Sequence, residues 1–281
     1  MVRYAATFLL LLAAAVAEGN AQTPGVRFTS ELDPRNFAHA AFLGSGIYVV
    51  DGRQLYIIRA PMAFTLRPEE GNPFGLRLSA TPTFGFFDLK FSDIGDFQLP
   101  SSLSTFSLLL GVEFQVPVLS NWQLDPFVRA GPAWEFAQGT VTWVFGVGID
   151  SRVEFAPGRT RVLLWNTLLW AGNRDSDLSP RDDFARIDTQ VEWLFPVGWR
   201  LHRTKTEVGP YARSEIYFDA LVIAPPAGEP LVIHHRYEIG VMWGATERHT
   251  TFWKIPYPRV GLSWRFGDGA SGVRLMLTTR F

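Results

Sequence analysis

Apolar and polar residues alternate with a period of two through most of the chain. Successive side chains of a strand point to opposite faces, so the alternation marks a sheet with one apolar and one polar side. The final segment shows this plainly: Val273, Leu275, Leu277, Thr279 and Phe281 share one face, and Arg274, Met276, Thr278 and Arg280 the other. Upstream, Val260, Leu262, Trp264 and Phe266 oppose Arg259, Ser263 and Arg265, while Tyr237, Ile239, Val241 and Trp243 oppose Arg236 and Glu238. Ile216 and Phe218 oppose Arg213 and Glu215; Ile187, Val191, Trp193 and Phe195 oppose Arg186, Asp188 and Glu192; Trp143, Phe145, Val147 and Ile149 oppose Asp150. The same rule sets Val128 and Trp134 against Arg129 and Glu135, Leu110 and Val112 against Glu113, Leu76 and Leu78 against Arg77, and Tyr56 and Ile58 against Arg59. Around 42–50 and 162–170 both faces are largely apolar, and strands there are inferred from length and neighbours. The pattern predicts twelve strands, near 38–50, 54–66, 75–87, 103–116, 123–137, 140–155, 160–171, 183–197, 207–222, 232–245, 255–267 and 272–281.

An alternating sheet is equally the mark of a soluble sandwich whose apolar side turns inward. Three features favour instead an all-β fold, a transmembrane antiparallel up-and-down β-barrel of about twelve strands over residues 38–281. Most runs are 11 to 16 residues long, against about 5 to 6 in globular sheets and the roughly 9 to 11 that a tilted strand needs to cross a bilayer. Trp122, Trp134, Trp143, Trp170, Trp193, Trp243 and Trp264 lie mostly toward strand ends, the level of a membrane interface. The longest and most polar connections, 88–102, 172–182 and 223–231, fall at one end, as outer loops do, although the opposite turns near 67–74 and 198–206 are longer than that rule expects. Lipid gives backbone groups no partners, so strands cross it only as a closed barrel, and an even count closes with both chain ends on one side.

The N-terminus adds an address. Arg3 precedes an apolar stretch from Ala5 to Val16, followed by small residues around Ala17 and Ala21, the layout of a secretory signal peptide over residues 1–21. Residues 22–37 then form a short periplasmic tail. No later stretch is apolar for the roughly 18 residues that a membrane helix needs. With a net charge of −1, the chain has no basic field for nucleic-acid phosphates. With no Cys, it has no disulfide scaffold, thiolate zinc site or cysteine nucleophile.

The terminal pattern of Val273, Leu275, Leu277 and Phe281 resembles the last strand of Gram-negative outer-membrane β-barrel proteins, with Thr279 where a larger apolar residue is commoner. That resemblance implies residence in the cell outer membrane, contact with its lipid and lipopolysaccharide, and recognition of the last strand by the barrel assembly machinery. A signal peptide followed by a lone barrel of this size also resembles the solitary autotransporter-like barrels, which implies a structural or narrow-channel role without a passenger domain.

The polar parity, turned inward, would gather Arg59, Arg77, Arg129, Arg152, Arg186, Arg213, Arg236, Arg259, Arg265 and Arg274. It would also gather Glu113, Glu135, Asp150, Glu154, Asp188, Glu192, Glu215, Asp219 and Glu238. Buried charges need partners, so near-balanced signs predict a cross-linked interior with a narrow water path or none. A charge-selective pore more often carries segregated rings of one sign.

Chemistry is sparse. His39, His202, His234, His235 and His249 show no HExxH spacing, and no metal or cofactor is implied. His234 and His235 flank one outer loop, and Asp175, Asp177, Asp182 and Asp183 lie in or beside another, so an Asp/His pair at the rim is geometrically possible. Outer-membrane proteases of the omptin type use such a rim, but that family has ten strands and a sequence context not found here. The Ser/His arrangement of outer-membrane phospholipases and lipid A deacylases is not matched either, and the Asp residues lack the calcium-hand pattern. The expectation is a barrel without catalytic residues. The alternative is a rim hydrolase, acting on protein or lipid, that uses His234 or His235 with Asp182 or Asp183.

Overall fold

Each alternating segment pairs with the next. The computed structural model describes residues 42, 45–50, 53–69, 71–87, 103–136, 139–175, 182–201, 204–223, 231–246, 251–252, 255–256, 259–268 and 271–278. The expected signal peptide, the tail 22–37, the ends of the long loops, His39, His202, His249 and Phe281 lie outside these residues. All described residues belong to the unit Asp33–Phe281.

The strands are β1 (Gly46–Val50), β2 (Arg53–Arg59), β3 (Met62–Arg67), β4 (Gly75–Phe87), β5 (Leu103–Leu119), β6 (Trp122–Glu135) and β7 (Thr140–Phe155). They continue as β8 (Arg161–Asp175), β9 (Asp182–Leu201), β10 (Thr204–Ile223), β11 (Leu231–Ala245), β12 (Thr251–Phe252), β13 (Ile255–Pro256), β14 (Arg259–Gly267) and β15 (Gly272–Thr278). β2 and β3 both pair with β4 and are halves of one strand, broken where Pro61 has no N–H to give. Counting them as one, the main sheet has the twelve antiparallel up-and-down strands expected. The sheet curls strongly, as a half-barrel whose first and last strands, β1 and β15, come within 8 Å between Cα atoms. Among the described residues no backbone ladder joins those two.

Three boundaries differ from expectation. The strand expected over 38–50 begins at Gly46, and Phe42 lies off it, buried in the interior. Gly146 makes the room: a Cβ there would stand 3.1 Å from the Phe42 ring. The strand expected at 255–267 begins at Arg259, because Ile255 and Pro256 pair with Thr251 and Phe252 in a separate hairpin. Pro256 and Pro258, without N–H groups, could not have served the long ladder. Finally, β9 and β10 are 20 residues each and consume most of the turn expected at 198–206.

Burial follows the predicted parity. On β14, Arg259, Gly261, Ser263 and Arg265 are buried while Leu262, Trp264 and Phe266 are exposed. Two Gly-Pro pairs mark close approaches. Gly131-Pro132 on β6 and Gly209-Pro210 on β10 sit where the ladder to the preceding strand is interrupted. A Cβ on either glycine would fall 1.8 Å from a neighbouring carbonyl oxygen, of Leu108 and Trp193 respectively, so only glycine lets the strands press together there.

Candidate functional site in the charged interior

The parity that carries Arg and Glu faces the concave side, and the antiparallel register sets opposite charges side by side. Arg77 lies across from Glu113, Arg213 from Glu238, Glu215 from Arg236, and Glu238 from Arg265. Period-two placement plus register is therefore enough to build ion pairs on one face.

The densest cluster spans β9, β10, β11, β14 and β15. Glu215 is its hub: Arg236 donates to it directly, Arg213 Nη2 lies at 2.8 Å, Arg265 Nη2 at 3.3 Å and Arg186 Nη1 at 4.0 Å. Glu238 accepts from Arg274 at 2.7 Å, Arg265 at 2.8 Å, Ser263 at 2.7 Å and the Tyr211 hydroxyl. Asp188 takes Arg213 at 3.0 Å and Arg186 at 3.4 Å. The Tyr217 hydroxyl accepts from Arg186 and Arg236. Five guanidiniums thus meet three carboxylates, an excess of two positive charges.

Smaller groups sit elsewhere on the wall. Glu113 holds Arg77 and, at 3.8 Å, Arg129. Toward the short-turn end, Arg152 donates to Gln123 at 2.7 Å, Gln123 donates to Asp125 at 2.7 Å, and Thr167 donates to Asp150. At the same end Arg259 reaches from β14 to Glu192 on β9 at 2.7 Å, crossing behind β10 and β11, and Arg161 binds Glu207 at 3.2 Å and the Thr246 carbonyl at 3.0 Å. Arg59 is tied at its backbone: its N–H donates to Ser45 at 3.0 Å. Glu135 stands at the end of β6, where Thr140 donates to it across the turn at 3.4 Å.

Toward the opposite end the interior is apolar: Phe42, Ile57, Leu109, Phe127, Val144, Leu169, Phe184 and Ile233 belong to one buried cluster. Phe42 stands edge-on to Phe184 with ring centres 6.0 Å apart, and its carbonyl accepts from Arg186 at 3.1 Å. Between the apolar plug and the Arg259 strut remains a cavity of about 180 Å³.

Beside the rim histidines stands Asp268, an acid that the sequence did not single out, while the side chain of Asp182 lies outside the described residues. Asp268 accepts the backbone N–H groups of His234 and His235, both at 2.7 Å, and lies 3.7 Å from His235 Nδ1. Asp183 belongs to β9, two ladders away from β11, and accepts from the Trp170 indole at 3.1 Å. Asp268 thus serves as a cap on the β11 backbone, placed by the turn that begins at Gly267 with φ of 147°. Of the terminal pattern, Val273 and Leu275 face outward and are exposed, and Leu277 continues β15 opposite Val260.

The alternation sets Asp125 and Tyr217 on the polar parity without naming them among the interior charges, and it misses Phe42, Gln123, Arg161, Glu207 and Tyr211. Tyr211 and Tyr217 share the parity of Arg213 and Glu215, which was the available signal; Arg161 and Glu207 were hidden by falling at predicted strand edges. Among the described residues no His, Asp and Glu group is arranged to hold a metal ion. No protein-family model matches the chain, and a search of curated proteins finds no match either.

Proposed function

We propose that the protein is an integral outer-membrane β-barrel of structural or narrow-channel type, exported by its signal peptide and inserted through recognition of its last strand. One observation carries this reading: the inverted distribution of side chains. Arg236, Arg259 and Arg265 are at most 2% exposed, while Leu110, Leu262 and Ile239 on the outward face are 55 to 60% exposed. In water that arrangement forfeits about 1.5–3 kcal/mol for each large apolar side chain left out and adds the cost of desolvating each ion. In lipid the outward face is already in its preferred solvent.

The plug and the strut argue for an occluded resting state. In a planar bilayer the wild-type chain should conduct weakly, and Phe42→Ala, which removes the ring beneath the loop end, should raise single-channel conductance severalfold. Equal conductance in the two proteins would refute the plug, and a large steady wild-type conductance would refute the occlusion.

A further inference from the structure

We propose that the outer wall over β7–β10 is a contact surface for a second copy of this chain, held by a row of uncharged polar side chains that lipid cannot satisfy. On the outward parity β7 contributes Ser151, β8 Asn166, β9 Thr189 and β10 Ser214. The register sets them side by side: Ser151 lies across from Asn166, Asn166 from Thr189, and Thr189 from Ser214. Each is flanked two positions away, on either side, by Val, Ile, Leu or Ala. Scattered singly they would mean little; in one unbroken row across adjacent strands they make a polar band on an apolar face.

The row is only partly satisfied within the chain. Thr189 Oγ1 donates to Asn166 Oδ1 at 3.0 Å, and the Trp122 indole donates to Ser151 Oγ at 3.0 Å. Among the described residues nothing accepts from the Asn166 amide N–H groups or the Ser214 hydroxyl. The need for a partner rests on the outer-membrane reading: water would hydrate these groups, whereas hydrocarbon offers no acceptor and makes an idle donor costly. Hydroxyls and amides both donate and accept, so the row is complementary to itself and calls for neither a cation nor an anion. A second copy inserted in the same direction brings the same groups to the same depth. Two such copies are related by a twofold axis along the membrane normal, an isologous contact. Barrel strands are tilted, so the row climbs obliquely, from near the short-turn end of β7 at Ser151 to the middle of β10 at Ser214. On facing copies the two rows therefore cross, and they meet near their midpoints, at Asn166 and Thr189. Pro210 and Ala212, next along β10 on the same face, are short and let the walls approach.

The chain has no Cys, so Arg159→Cys in the turn between β7 and β8 gives a single site for a dye. Full mature chains carrying donor or acceptor are folded together into phosphatidylcholine vesicles. Energy transfer should exceed that of chains placed at random at the same density, fall when unlabelled wild type is added, and yield an association constant. Asn166→Leu should weaken that constant at least about tenfold, while Leu78→Ala on β4, outside the row, should leave it unchanged. Asn166→Leu also gives lipid an apolar side chain, so insertion, read by fast unboiled migration, should be retained. Transfer no higher than random in the wild type overturns the proposal, whether a different protein or lipid covers the row; so does transfer unchanged in Asn166→Leu, which would put the contact elsewhere. Failure of the wild type to float with the vesicles and to migrate fast unboiled would instead refute the membrane reading, so the two failures are distinguishable.

Discussion

Glu215→Gln should destabilise the folded barrel by about 3–5 kcal/mol, the cost of leaving buried charge without its partner. Glu215 faces Arg186, Arg213, Arg236 and Arg265 at once and is itself almost fully buried. The cluster already has more guanidiniums than carboxylates, so removing one acid leaves five cations to two. The carboxylate and its arginines are all buried, so the remaining cations are poorly screened. Urea unfolding in lipid vesicles, followed by the change from fast to slow gel migration, measures the loss. Adding Arg236→Met should recover part of it, since the second change restores the original excess; a double variant that is worse than the sum of its parts would show that Arg236 stabilises through contacts other than Glu215. Glu135→Gln, at the end of β6, should fall within about 0.5 kcal/mol of the wild type.

Leu262→Arg should have the second large effect, on the opposite face. Leu262 is paired on one side with Val241 and on the other with Leu275, all three pointing outward and half or more exposed. If lipid covers that face, an arginine near mid-strand costs about 2–4 kcal/mol and lowers the yield of inserted protein. If water covered it, the same change would be close to neutral, as exposed substitutions usually are, and would improve solubility. The sign of the outcome therefore separates a membrane barrel from a soluble one with the same backbone.

Much of this was legible in the alternation because a sheet with one apolar side imposes a period of two on the sequence. Arg259, Ser263 and Arg265 against Leu262, Trp264 and Phe266 gave both the strand and the direction of its side chains. The period is silent on β8, and the structure shows why: there the interior itself is apolar, with Leu163, Leu169 and Ala171 buried on the inner face and Leu164 and Leu168 on the outer. Phe42 had no signal at all, since its place depends on space left by Gly146, more than a hundred residues away. Which acid meets which arginine also lay beyond the pattern. Arg77 with Glu113 follows from neighbouring register, but Arg259 with Glu192 joins strands three positions apart across the concave face, a consequence of curl that no strand-by-strand reading contains.

The central claim is that the apolar face of the sheet is a surface for lipid. The direct measurement is flotation: the mature chain, diluted from urea into phospholipid vesicles, is spun in a density gradient and run on a gel with and without boiling. The account predicts that the protein rises with the vesicles, stays with them after an alkaline wash and migrates faster unboiled. A folded, β-rich monomer left at the bottom of the gradient in detergent-free buffer would contradict it.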